Sequence, residues 1–297
     1  MGFKSGFVGV LGKTNAGKST LINALLGKKT VIVSDKPQTT RNRIRCILNL
    51  ESAQIVFVDT PGLHKPIDKL SNYLIQQALT ALEGLDLVLY LVEPWGEVKP
   101  YDQRVFEQLA KLDVPRFLII NKVDQAQGNE VLETIRHHSE LNLFDEIIPV
   151  SSLNGHNLET VLPLILEKLP QGPAYFEQDQ ETDRPLAFLV SELIREQVFQ
   201  LTHEEIPYSV AVEVADIVER EDKPLIELYA YIDVARNSQR GILIGKHGEM
   251  IKKIGQRARQ QIESLLGVQV FLELKVRVVK KWNEDPKQIQ RLLGRDA

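Results

Sequence analysis

The chain has 297 residues, enough for about two domains that each bury a core, and its 43% hydrophobic and 26% charged residues exclude a collagen-like or wholly disordered protein. A lone cysteine, Cys46, excludes an internal disulfide, and six histidines without paired cysteines offer no zinc framework, so a reducing, cytoplasmic setting is expected. The net charge of -4 hides an asymmetry: residues 241–297 hold 12 Lys+Arg against 6 Asp+Glu, which is +6 and leaves -10 elsewhere, as expected when one module meets nucleic acid.

Residues 1–12 lack the charged head, apolar middle and cleavage site of a signal peptide, and Gly6 breaks the myristoylation pattern that Gly2 invites. No run of about 18 apolar residues occurs, so no membrane span is expected. Short aliphatic and β-branched runs then alternate with longer helical stretches. Strands are expected at 7–11, 55–59, 87–93, 116–121 and 146–151, and helices at 18–26, 70–82, 103–112, 129–142 and 158–169. Over residues 1–169 this reads as a doubly wound α/β domain with a mostly parallel sheet, whose ligands sit at the carboxyl ends of the strands.

Residues 170–185 are rich in proline and in acidic or amide groups, lack apolar period, and read as a linker. Beyond them come a helix near 186–202, strands at 208–219 and 225–235, two helices around a loop, and a last strand at 268–278. Period two puts Val268, Val270, Leu272, Leu274, Val276 and Val278 on one face of that strand. Residues 186–297 are therefore an α+β module with a carboxy-terminal tail.

The motifs fall at the strand ends. Gly12-Lys13-Thr14-Asn15-Ala16-Gly17-Lys18-Ser19 fits the phosphate loop between a strand and a helix, where backbone N–H groups close around phosphates. Lys18 should reach the β- and γ-phosphates, and Ser19 should bind magnesium. Asp59-Thr60-Pro61-Gly62 can hold the metal through Asp59 and offer the Gly62 N–H to the γ-phosphate. Asn121-Lys122-Val123-Asp124 selects the base: Asp124 can accept from the ring N–H and the exocyclic amine of guanine, and adenine offers neither. Asn121 and Lys122 would brace that loop, and Ser151-Ser152-Leu153 would supply a backbone donor to the guanine carbonyl.

In the second module, Gly245-Lys246-His247-Gly248 forms a Gly-x-x-Gly turn between two helices, preceded by Ile244; such a turn clamps about four nucleotides in KH modules. Lys246 would meet phosphate, and His247 could donate to it or stack. Lys252, Lys253, Arg257 and Arg259 on the following helix, with Lys275, Arg277, Lys280 and Lys281 on the last strand, would extend a positive track. Two other candidates fail. Pro207 stands where a zinc-protease helix beginning at His203 needs its second histidine, and the adjacent His137 and His138 diverge by about 100° on a helix.

These residues resemble the Era-like family of translation-factor-related GTPases, and the resemblance spans both modules and the linker. It implies a phosphate-loop GTPase domain followed by a type II KH domain, with GTP or GDP and Mg²⁺ as ligands and slow intrinsic hydrolysis. Residues 35–41, Asp-Lys-Pro-Gln-Thr-Thr-Arg, fit the family's switch segment, with Thr40, or alternatively Thr39, completing the magnesium site. Leu63 stands where Ras-like proteins carry a water-orienting glutamine. Asn15 matches an asparagine that helps hold potassium in related glutamine-lacking GTPases. The implied partners are 16S rRNA near its 3′ end and the small ribosomal subunit, with peripheral membrane contact and a monomeric state. An ATP-dependent phosphate-loop enzyme, and a GTPase whose KH-like module binds protein, are the alternatives.

Overall fold

The computed structural model describes residues 2–293 apart from 35, 37, 66–67 and 96–99. Two compact units emerge: Met1–Val31, Thr40–Ile67 and Leu74–Asp183 form the first, and Ile32–Thr39, Asp68–Tyr73 and Arg184–Ala297 the second.

In the first unit the chain runs β1 (Lys4–Gly12), α1 (Lys18–Leu26), β2 (Ile44–Leu50), β3 (Ala53–Asp59), α2 (Lys69–Thr80, whose first residues group with the second unit), β4 (Leu87–Val92), α3 (Pro100–Leu109), β5 (Arg116–Ile120), α4 (Glu130–Ser139), β6 (Glu146–Pro149) and α5 (Val161–Lys168). The strand order is β2-β3-β1-β4-β5-β6, parallel except for β2, which runs antiparallel to β3. Every residue of β3 and β4 is buried, which is why residues 55–58 and 87–92 read as unbroken apolar runs rather than as alternation: helices cover both faces of a parallel sheet. Their carboxyl ends bring Gly12, Asp59, Asn121 and Ser151 to one edge.

Two features of this unit differ from expectation. Residues 44–50 form an edge strand that the apolar pattern did not mark. Most of the expected linker is a strap held on the first unit: Ser5 N–H donates to Pro170 O (3.2 Å), Gly172 N–H to Phe3 O (3.0 Å) and Ile47 N–H to Glu181 O (2.9 Å). Buried Gln54 completes it, accepting from the N–H groups of Tyr175 (2.7 Å) and Phe176 (3.0 Å) and donating to Phe176 O (2.9 Å).

The second unit contains α6 (Leu186–Leu201), β7 (Val210–Glu219), β8 (Leu225–Val234), α7 (Asn237–Ile244), α8 (Glu249–Leu266), β9 (Gln269–Val278) and α9 (Pro286–Leu293). Its sheet order is β7-β8-β9, antiparallel then parallel. Val190, Ile194 and Val198 of α6 and Ile254, Ala258 and Ile262 of α8, repeating every fourth residue, pack with Leu228, Ile232 and Val270 of the sheet. Val270, Leu272, Leu274, Val276 and Val278 join this core, as period two requires. The described residues that follow β9, up to Leu293, are folded as well. Trp282 is buried and donates its indole N–H to Ser209 O (2.9 Å), and Ile289 and Leu293 of α9 are buried.

Candidate functional site

The phosphate loop owes its shape to backbone that only certain residues tolerate. Gly17 has φ 91°, and a Cβ there would lie 2.2 Å from Asn121 Nδ2. At Gly62 a Cβ would lie 2.7 Å from Thr14 Cα, so the Asp-Thr-Pro-Gly turn meets the loop through bare backbone. Leu63 N–H donates to Gly12 O (3.0 Å), and Thr60 Oγ1 donates to Val10 O (2.8 Å). Pro61 and Ala16 are buried beside them. Lys13 does not face the phosphate position with its ammonium; that group pairs with buried Asp102 of α3 at 2.8 Å.

Lys18 is buried, donating to Gly12 O (3.2 Å) and Lys13 O (2.9 Å). Burial pulls its pKa down to about 8, against the opposing pull of Asp59. Asp59, fully buried, is pushed upward by desolvation; Lys18 and the hydroxyls of Ser19 and Thr40 oppose that shift. The metal candidates form one cluster. Ser19 Oγ and Thr40 Oγ1 donate to Asp59 Oδ2 at 2.8 and 3.1 Å and stand 3.0 Å from each other, while Asp59 Oδ1 is buried with no hydrogen-bond partner among the described residues. Thr39 is directed elsewhere: its hydroxyl donates to Lys36 O (2.6 Å). Asp35 and Pro37 lie outside the described residues.

At the base-reading loop, Asn121 is buried and uses both ends of its amide, donating to Ala16 O (2.9 Å) and accepting from Ser152 N–H (3.0 Å) and Ser152 Oγ (2.8 Å). Lys122 takes a left-handed φ of 64° and pairs with Glu93 at the end of β4. Asp124 is exposed, with no hydrogen bond or ion pair among the described residues, so a bound base rather than the fold itself would desolvate it. Ser151 N–H goes to His156 O (3.1 Å) and Ser152 N–H to Asn121, which leaves the exposed Leu153 to offer the remaining N–H. Glu93 and Asp102 were missed at the sequence level: each braces a lysine far from it in the chain, and no spacing signals that. Leu63 is buried in the core behind the loop, and Asn15 is exposed with φ 65°.

In the second unit, α7 and α8 meet at Gly245 (φ 72°), His247 (φ 52°) and Gly248 (φ 80°). A Cβ on Gly245 would lie 2.8 Å from Met250 Cβ, so glycine lets the first turn of α8 close against the loop. Lys246 and His247 are exposed and Ile244 is partly buried. Because the core claims Ile254, Ala258 and Ile262, α8 turns Lys252, Lys253 and Arg257 to solvent, unpaired among the described residues. The expected track is shorter than the sequence suggested. Arg277 is committed to Asp233 through Nε (2.6 Å) and Nη2 (2.7 Å), and to Glu213, because the buried Asp233 carboxylate requires a cation. Lys275 pairs with Glu273 (2.7 Å), Arg259 stands 3.9 Å from Glu263, and Lys280 and Lys281 lie beyond the end of β9.

Residues 7–122 match the family model described as 50S ribosome-binding GTPase, and residues 205–283 match the KH domain. The chain is 49% identical over 290 residues to GTPase Era of Geobacter metallireducens, covering 98% of this chain and 97% of the relative. It is 45% identical over 292 residues to GTPase Era of Thermoanaerobacter sp., with 98% and 97% covered. A crystal structure of Era in complex with MgGDPNP and nucleotides 1506-1542 of 16S ribosomal RNA aligns with TM-score 0.94 at 38% identity over 99% of this chain and 100% of that one. An Aquifex aeolicus Era variant bound to GDP.AlF4- gives TM-score 0.93 at 38% identity, with the same coverage. Sequence identity that runs from end to end means that the chain shares with these relatives the pairing of both modules and not merely one of them: it belongs to the Era family and is a GTPase.

Proposed function

We propose that the chain is a GTP-driven switch that binds 16S ribosomal RNA near its 3′ end and acts in assembly of the small ribosomal subunit. The observation that carries this reading is the Gly245–Gly248 turn, which holds Lys246 and His247 exposed at the head of a helix that turns Lys252, Lys253 and Arg257 to solvent, in the same chain as a GTPase site. A solved relative whose fold it follows over 99% of this chain was captured with 16S nucleotides. Residues 1–169 would carry the nucleotide, 186–297 the RNA, and 170–185 the link between them.

Magnesium fits the cluster of Ser19, Thr40 and Asp59, where hard oxygens converge and Asp59 Oδ1 has no protein partner among the described residues. When bound, the ion neutralises charge on the β- and γ-phosphates. Lys18 would add a second positive group there, Gly62 would donate its N–H to the γ-phosphate, and Thr40, not Thr39, would act as the switch threonine. A potassium ion near Asn15 is a finer part of the same reading; equal hydrolysis rates in sodium and potassium buffers would remove it. We read the chain as a cytoplasmic monomer, with peripheral contact at the inner face of the cell membrane resting on family resemblance alone. No helix among the described residues is long and apolar enough to cross a membrane.

The test is binding of a labelled RNA carrying the 3′-terminal small-subunit sequence to the full chain, with GDP or with a non-hydrolysable GTP analogue. Affinity should differ between the two nucleotides and fall at least about tenfold when Lys246 and His247 are both changed to aspartate. Equal affinity in the two states would remove the switch. Full retention in the double variant would remove the RNA contact and favour a protein partner.

A further inference from the structure

We propose that Asp102 of α3 is a positioning residue of the phosphate loop: through Lys13 it holds the carbonyl on which Lys18 hangs, and so secures the grip that separates guanosine di- and triphosphate from the monophosphate. The proposal rests on the reading of residues 12–19 as the loop that meets the β- and γ-phosphates with Lys18. All the groups involved lie within the first unit.

α3 carries a charge where its pattern calls for an apolar side chain. Positions 102, 105, 106 and 109 follow the spacing i, i+3, i+4, i+7 that lays one stripe of a helix against a core. Val105, Phe106 and Leu109 pack in that core, while residues 103, 104, 107 and 108 are exposed. Asp102 is the fourth member of the buried stripe, 3% exposed. A helix N-terminus favours an acid in its first turn, yet a carboxylate on the solvent side of that turn would serve equally, so the dipole does not account for the burial. Taking a carboxylate out of water is costly unless a cation meets it. The Lys13 ammonium does so, 2.8 Å from Asp102 Oδ2.

The backbone of Lys13 lies at the centre of the loop. Its carbonyl accepts from Lys18 Nζ (2.9 Å) and from Ala16 N–H (3.3 Å), and it stands beside Leu63 in a parallel bridge. Gly12 before it has no side chain to tie down: with φ 146° it passes the end of β4 as bare backbone, where a Cβ would lie 2.4 Å from Leu91 O. Lys13 is therefore the residue through which this end of the loop is tied to the helical layer. Because the core fixes α3, the ion pair passes that rigidity to the Lys13 carbonyl and so to Lys18. A loop ordered beforehand spares the ligand the entropy of ordering it. GDP and GTP gain from this through the phosphates that Lys18 meets, and GMP ends before that contact.

The experiment uses the full chain with Asp102→Leu, Lys13→Met, Lys13→Arg, the double variant Lys13→Met with Asp102→Leu, and Lys18→Met. GDP and GMP affinities are measured by displacement of a fluorescent nucleotide, and thermal unfolding is followed without nucleotide. Asp102→Leu completes the apolar stripe and leaves Lys13 partly exposed, so it should unfold no lower than wild type. Its GDP affinity should nevertheless fall about three- to tenfold, with GMP affinity within about twofold of wild type. Lys13→Met leaves the buried carboxylate without this ammonium beside a site for anions, so GDP affinity should fall further, about ten- to a hundredfold. Adding Asp102→Leu to Lys13→Met should bring the affinity back up to that of Asp102→Leu alone, a sign that a purely structural pair would not give. Lys13→Arg keeps the cation and should hold most of the GDP-to-GMP ratio; with Lys13→Met it decides the matter should Asp102→Leu fail to fold. An unchanged ratio in folded Asp102→Leu and in Lys13→Met overturns the proposal. So does tighter GDP binding in Asp102→Leu, which would make Lys13 a phosphate ligand that the carboxylate withholds. A wild-type ratio in Lys18→Met would instead overturn the phosphate-loop reading, and the brace with it.

Discussion

Asn121 Nδ2 donates to Ala16 O at 2.9 Å, joining the loop that reads the base to the loop that holds the phosphates. The same amide accepts two hydrogen bonds from Ser152, so one side chain fixes three segments that lie at the ends of three different strands. Asn121→Ala would leave the buried Ala16 carbonyl and Ser152 donors unpaired, each costing about 1–3 kcal/mol. GTP and GDP should therefore both bind at least about a hundredfold more weakly, a change that isothermal calorimetry reads directly. Because the lesion lies in the scaffold, the GTP-to-GDP preference should not move.

Lys18 gives the nucleotide-free chain a particular pH dependence. Its folded pKa is lowered to about 8 by burial, whereas an unfolded lysine titrates near 10.5. Below pH 8 both states are protonated and the cost of burying the charge, about 3 kcal/mol, is felt in full. Between 8 and 10.5 the unfolded state holds more protons, so stability rises with pH. Urea unfolding without nucleotide at pH 7 and pH 10 should show this rise in wild type relative to Lys18→Met, with the variant the more stable at pH 7. Nucleotide phosphates favour the charged amine, so GTP affinity should weaken as pH climbs through about 8. A flat difference between wild type and Lys18→Met would contradict the assignment.

The sequence made this site legible because each motif combines an unusual backbone with a particular chemistry: Gly17 and Gly62 sit where a Cβ would collide, and Asp59 and Asn121 end apolar strands. The parallel strands were readable as well, since burial on both faces produces continuous apolar runs such as Leu87–Val92. Edge strand Ile44–Leu50 was not, because Arg45, Leu48, Asn49 and Leu50 remain partly exposed and no apolar run announces it. The strap after Pro170 is held by single polar contacts such as that of Gln54, and these leave no period to detect. Nor does charge reveal its own use. Arg277 and Lys252 look alike in the sequence, yet a buried Asp233 claims one and nothing among the described residues claims the other.

That difference can be measured. Arg277→Met leaves Asp233, whose side chain is wholly buried, without its bidentate partner, and breaking such a pair is strongly destabilising. A cost of about 3 kcal/mol is expected, the low end of the range for buried pairs because Arg277 is itself partly exposed. Its RNA affinity, measured on protein that remains folded, should stay close to wild type. Changing Lys252 and Lys253 together to alanine should do the reverse: unchanged unfolding, weaker RNA binding, and a shallower dependence of binding on salt.

Leu63 decides how hydrolysis can be tuned. It occupies the place where a glutamine orients the attacking water in Ras-like enzymes, and leucine has no polar atom for that task. The obvious repair, Leu63→Gln, should nevertheless fail. The Leu63 side chain is 2% exposed and packs among the apolar residues behind the phosphate loop, so an amide placed there would be buried away from the γ-phosphate. Burying it without hydrogen bonds, with the loss of leucine packing, should cost about 2 kcal/mol or more. Single-turnover hydrolysis at saturating magnesium should therefore show no gain over wild type, while thermal unfolding moves several degrees lower, by about 2–4 °C per kcal/mol for a chain of this size. A faster turnover in Leu63→Gln would mean that the segment after Gly62 leaves its core contacts when GTP is bound, and that water-orienting capacity is set by residue type alone.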